Sequence, residues 1–342
     1  MIKDDRAAMK RIDHIDILRG IGILYMLIGH IGFGPEMDIY LHAFHMPLFF
    51  FLSGYLFSFP DDLNLYVQKK VKSLLVPYFS FAFLYLALFV VVEEKINFKI
   101  MRSQCEGIFF FPTNRVPIAG ALWFLMALFF SCIFFAMLYC ISAKWKYHTE
   151  FMLMSTLGIM FLSMFITSVV GVKLPWALAP AAVGLGLMGT GYFMRKYEES
   201  RIISAVLQMK WYLWLILFLA SIFLVFYNGM INMRKGVYGN LPCAYVTAIL
   251  CSLLYWNLAQ KIEKYNFSGV LKLIGKNSLV FVCVNQIVIK MIKWKILKSF
   301  VYYEKFPISL ISRVCVLAVT CLLCYVFVLI FENTKLKKMI GK

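Results

Sequence analysis

Long apolar runs alternate with short polar stretches along the whole chain. Runs of spanning length fall at about 17–33, 42–59, 74–92, 119–141, 151–170, 176–194, 211–230, 241–259, 271–291 and 308–331, and a bilayer-crossing helix needs about 20 predominantly apolar residues. The pattern predicts an all-α, polytopic integral membrane protein with about ten transmembrane helices. The sixth run is the weakest, because Pro175, Pro180 and several glycines interrupt it. Trp176 and Trp211 at run ends suit anchoring at a membrane interface.

Composition strengthens this reading. Of 342 residues, 62% are hydrophobic and 15% charged, and the mean hydropathy is +0.79. The loops are short, so the expectation is a single transmembrane domain over 1–342 without a separate soluble catalytic domain. The net charge of +18 does not point to nucleic acid, because the lysines are spread between apolar runs instead of forming one basic face. It points to membrane orientation. With the N-terminus inside, the inner segments hold roughly 21 Lys and Arg against roughly 12 outside, and this bias predicts that both termini are cytoplasmic. The exception is 290–305, a basic stretch that falls outside in this count and has the character of an interfacial segment or of a displaced span.

The nine cysteines lie mostly inside apolar runs, where cysteine behaves as a small hydrophobe. Cys321 and Cys324 form a C-x-x-C within a predicted span, with no second pair beside it, so packing is preferred to zinc. The N-terminus carries Asp4, Asp5, Asp13 and Asp16 and lacks a small-residue cleavage site, so it reads as a retained first helix and not as a signal peptide.

Candidate chemistry concentrates in the first predicted hairpin, 16–59, which carries Arg19, His30, His42 and His45 at or near membrane depth. Ionisable groups there are expensive and usually functional. Arg19 and His30 are eleven residues apart, which returns to within about 20° of the same helix face and separates them by roughly 16 Å. Gly20, Gly22, Gly29 and Gly32 share that helix and permit close approach by a neighbour or a ligand. A short loop makes the second helix an antiparallel neighbour, which predicts His30 and His45 at similar depth. Glu36, Asp38 and His42 are close in sequence but form no familiar metal motif, so no metal is expected. Two structural readings stand beside these: His45 bonded to backbone, and Arg19 as a positive-inside anchor.

These residues resemble the membrane-bound acyltransferase-3 family, especially its fucose 4-O-acetylase-like branch. The resemblance rests on Leu18-Arg19-Gly20-Ile21 with His30, and on Phe44-His45-Met46-Pro47 followed by Leu48 to Gly54. It extends to Lys69-Lys70-Val71-Lys72 leading to Leu75-Val76-Pro77-Tyr78, and to Leu122-Trp123-Phe124-Leu125. Two departures stand out. Lysines occupy the basic positions where arginine is frequent, which keeps the charge but loses bidentate phosphate geometry. Late in the chain Gly275 to Leu279 fits the family, but Asn285-Gln286 stand where a histidine is often found.

The resemblance implies transfer of an acyl group, usually acetyl from acetyl-CoA as co-substrate, to a hydroxyl of a cell-surface or secreted glycan or glycolipid, at the cell membrane. It also implies that Arg19 and His30 are essential. On that reading Arg19, Lys69, Lys70 and Lys72 hold the coenzyme phosphates. His30 is the general base or a transiently acylated nucleophile. His45 orients the acceptor or stabilises the oxyanion. Trp123 offers a face to a sugar ring or anchors at the interface. The polar loop 93–118, with Glu106, Asn114 and Arg115, reads mainly as solvated. The rival from another class is a glycolipid or small-solute transporter or flippase, whose expected sign is paired interrupted helices in the two halves.

Overall fold

The computed structural model describes residues 12–59, 62–92, 97–114, 120–295 and 308–342. Lys3, Asp4, Asp5, Arg6, Lys10 and Arg11 at the N-terminus, Arg115, and Lys298 and Lys305 of the late basic stretch lie outside the described residues. The regular elements among the described residues are helices: α1 (Asp13–Ile31), α2 (Pro35–His42), α3 (His45–Tyr55), α4 (Leu63–Lys70), α5 (Val76–Val92), α6 (Phe98–Phe109), α7 (Trp123–Ser142) and α8 (His148–Phe165). They continue with α9 (Leu178–Lys196), α10 (Arg201–Leu207), α11 (Trp211–Asn228), α12 (Leu241–Ile262), α13 (Ser268–Lys276), α14 (Ser278–Lys295) and α15 (Ile308–Asn333).

Among the described residues, eight helices are long and apolar enough to cross a membrane. A ninth crossing is present if Ser268–Lys276 and Ser278–Ile292, bent by 90° between them, are one span. The second predicted span is the one that falls short. Its helix, α3, has 11 residues, about 16 Å at 1.5 Å per residue, against a hydrocarbon core of about 30 Å. The apolar residues beyond its end serve packing instead. Phe57 leaves the helix and stands edge-on to Tyr66, Phe135 and Tyr192 at ring separations of 5.8, 4.8 and 5.9 Å.

The third span begins earlier than hydropathy suggests. Asp62 caps α4 by accepting the Asn64 N–H at 2.8 Å, and the helix runs on through a π-helical stretch, Val71–Leu75, into α5. Pro77 follows that stretch and has no N–H to give to a carbonyl one turn back, and a wider turn accommodates the missing bond. Lys69, Lys70 and Lys72 therefore ride on a helix and not in a loop.

Backbone-to-backbone packing organises the bundle. The sixth span is its centre, with 83% of the residues in its spanning window buried, against 11% for α11 at the rim. Its glycines are contact points, not interruptions. A Cβ at Gly191 would overlap the Phe51 carbonyl of α3, one at Gly54 of α3 would overlap the Met188 carbonyl, and those at Gly186 and Gly189 would overlap Met160 and Thr156 of α8. Pro175 and Pro180 stand at the start of the span, where missing N–H groups cost little. A second close pair joins α1 to α13, with Gly20 against the Leu271 carbonyl and Gly275 against the Asp16 carbonyl; Lys272 and Asp13 form an ion pair across it. Such small-residue contacts associate helices where lipid supplies no hydrophobic drive. On the rim, α11 exposes Trp211, Leu219, Phe223 and Tyr227, and α15 exposes Ile311 and Leu322, as lipid-facing surfaces do.

Candidate active site

Three helix ends meet around His30. The residue occupies the last turn of α1, which stops at Gly32. That glycine adopts a positive φ of 86° and returns its N–H to the Ile28 carbonyl, an end that suits glycine because no Cβ opposes it. The next residues form α2, whose His42 lies beside Gly29 of α1, and α3 opens with His45.

The tautomers follow from what each ring nitrogen touches. His45 is buried, and its Nδ1 lies 2.5 Å from the Leu41 carbonyl oxygen. A carbonyl only accepts, so Nδ1 carries the proton and Nε2 keeps its lone pair. His42 Nδ1 is held at 2.9 Å from the Asp38 carbonyl and at 3.0 Å from the Asp38 carboxylate, and the two rings stand edge-on at 5.0 Å. The bond predicted from His45 to backbone is thus present, and it orients the ring. It does not exclude a role for Nε2.

His30 is half-buried and receives a neighbour that the hairpin alone does not reveal. Gln286 of α14 places its Nε2 3.5 Å from His30 Nε2, while its Oε1 accepts the Gly120 N–H. That second bond fixes which end of the amide faces the imidazole: the NH2 group, which only donates. His30 Nε2 is therefore an acceptor, the unprotonated and basic nitrogen. The Gly120 carbonyl lies 3.5 Å from Arg234 Nη1, so both polar groups of Gly120 are engaged. Gln286, Gly120 and Arg234 belong to separate segments. The one sign of them in the sequence was the polar pair Asn285-Gln286 inside an apolar run.

Trp123 opens α7 three residues beyond Gly120 and is only 6% exposed. Burial in protein removes the interfacial-anchor reading, which needs contact with headgroups. Trp176 and Trp211 are exposed and keep it. Among the described residues, no group of three or more His, Cys, Asp or Glu side chains is arranged to hold a metal ion.

At the other end of α1, Arg19 approaches the buried Asp16 carboxylate at 3.4 Å. Lys69 and Lys70 line a cavity of about 380 Å³ with Ser58, Tyr66 and Ser73, and the Lys70 ammonium lies 5.2 Å from the centre of the Tyr66 ring. Arg19 and the exposed Lys72 are not among its lining residues. The glycine-lined face expected to run open from Arg19 to His30 is largely occupied. The α13 backbone fills the space at Gly20, and Leu48 and Phe49 cover Gly22, while Ile23 and Met26, between Gly22 and His30, are buried. Among the described residues its His30 end is open: at Gly32 none of them places a heavy atom within 4 Å of where a Cβ would sit.

The sequence matches the acyltransferase domain of the acyltransferase-3 family over residues 12–329. No curated protein and no solved structure matches it.

Proposed function

Because the chain belongs to the acyltransferase-3 family and is a membrane protein with many apolar helices, we propose that it is an O-acetyltransferase of the cell membrane. It moves an acetyl group from cytoplasmic acetyl-CoA to a hydroxyl of a cell-surface or secreted polysaccharide or glycolipid, in the manner of the fucose 4-O-acetylase-like branch. The observation that carries this reading is the Gln286 amide facing His30 Nε2, which leaves that nitrogen as a proton acceptor at the end of α1.

With both termini cytoplasmic, Arg19 and the lysine cavity lie on the inner side and His30 on the outer. Lys69 and Lys70 hold coenzyme phosphates through charge-assisted bonds, and Arg19 and Lys72 add to the positive field. The coenzyme arm reaches the outer half by displacing Phe49, whose ring covers Gly22. His30 Nε2 takes the proton of the acceptor hydroxyl as its oxygen attacks the thioester carbonyl. His45 orients the acceptor or stabilises the developing oxyanion, and Trp123 backs the acceptor sugar. The C–S bond then breaks, the thiolate takes the proton back from His30, and the products are the sugar ester and free coenzyme A.

The direct test is mass spectrometry of surface glycans from cells with and without the protein, where loss of an acetyl mass is expected; an unchanged glycan whose lipid-linked precursor accumulates inside would favour a flippase. Two further outcomes follow in purified protein. Lys69→Ala/Lys70→Ala raises the KM for acetyl-CoA by about 10-fold or more, since a hydrogen bond involving a charged group contributes about 1.5–3 kcal/mol, with kcat little changed. Gln286→Ala acts through His30 and lowers kcat by about 10- to 100-fold, as loss of orientation does. It leaves the donor KM unchanged and displaces the pH profile, a pair of readouts that a merely destabilised protein would not give.

A further inference from the structure

Arg234 has two neighbourhoods. One is the Gly120 carbonyl and, through Gly120 and Gln286, His30. The other is a cavity of about 860 Å³ that Arg234 lines together with Lys173, Lys235, Glu106, Gln104 and Asn114. This volume lies at the upper end of the roughly 300–1,000 Å³ of small-molecule sites, room enough for more than one sugar ring.

The charge of the cavity is predominantly positive. Three of its described lining residues are cationic, and the one carboxylate, Glu106, is already bonded to Arg102 at 2.8 Å. Gln104 and Asn114 add amides of the kind that bind hydroxyls. The turn that carries Arg234 and Lys235 is held in place. Asn232 and Val237 pair across it, Asn232 accepts the Lys235 N–H at 3.0 Å, and Ser168 bonds to the Gly236 carbonyl at 3.1 Å. Asn228 closes its base by donating to the Tyr238 carbonyl at 2.9 Å. A braced turn presents its cations with little ordering cost on binding.

We infer that this cavity is the acceptor site and that it takes an acidic saccharide, a carboxylate-bearing segment of more than one sugar, whose reactive hydroxyl is directed by Arg234 toward His30. The inference rests on the acyltransferase reading above and adds to it the charge of the substrate. Lys173 and Lys235, both exposed, select the anion. Arg234 joins selection to the reacting end.

The test is binding without donor, so that it stands apart from catalysis. Purified full-length protein is titrated calorimetrically with trigalacturonic acid and with its neutral methyl ester. The acid is expected to bind at least about 10-fold tighter, and Lys173→Gln/Lys235→Gln to reduce that preference to near unity. The control is Lys144→Gln/Lys146→Gln, which removes two exposed lysines from the segment between α7 and α8 and should leave the preference intact. Equal binding of acid and ester, a preference that survives the cavity variant, or the same loss in the control would each overturn the assignment. Absence of acetyl transfer to every acceptor, with the acid preference intact, would count against the acyltransferase reading instead.

Discussion

His30→Ala eliminates acyl transfer while the protein remains folded in the membrane. General acid–base catalysis by a positioned side chain contributes about 10²- to 10⁴-fold, and His30 is the base this mechanism assigns to the acceptor hydroxyl. The substitution is structurally mild. His30 is half-buried at the end of α1, whose packing rests on Ile15, Leu18, Ile23 and Leu27 and on Gly20 against α13. Gly120 still engages the Gln286 amide, so alanine leaves a small polar gap and not a broken helix end. The measurement is transfer of labelled acetyl by protein in liposomes, with melting followed in parallel. Full activity in the purified variant would remove His30 from the chemistry. Rapid quenching of the native enzyme then separates the two routes: label on the protein indicates an acyl-histidine, and its absence indicates direct attack.

Gly275→Val abolishes accumulation of folded protein. Gly275 faces the Asp16 carbonyl and the Gly20 N–H across the α1–α13 contact, so the added carbons meet backbone that no rotamer change can move. Overpacking a core costs about 1–3 kcal/mol when side chains yield, and here they do not. Separation of the two helices also strains the Asp13–Lys272 ion pair. The comparison is Gly269→Ala on another face of the same α13, where no described residue lies within 4 Å of the added carbon. Size-exclusion chromatography of detergent extracts should show loss of the monodisperse peak for the valine variant and an unchanged profile for the alanine variant. An unaltered melting temperature for Gly275→Val would refute the packing account.

The sequence by itself determined the solvent and the helical class, and it singled out the first hairpin as the candidate for the chemistry. Apolar runs of spanning length leave few alternatives in lipid, because every backbone N–H and C=O must be satisfied within the helix. Family membership was legible in the ordered motifs from Arg19 to Trp123. Three features were decided only by the tertiary structure. The run 42–59 has a spanning composition but forms an 11-residue helix, because hydropathy does not separate residues that face lipid from residues that face protein. The glycines of α1 read as sites of close approach by a neighbour or a ligand, and those of the sixth span as interruptions. Gly20 and Gly22 are instead where α13 and α3 touch α1, and Gly186, Gly189 and Gly191 are where α8 and α3 touch the sixth span; only the partner's position distinguishes a filled cleft from an open one. Gln286 and Arg234 reach the neighbourhood of His30 from 256 residues away along the chain in one case and through Gly120 in the other. No periodicity within a single helix encodes such a meeting, since it depends on how separate helices pack.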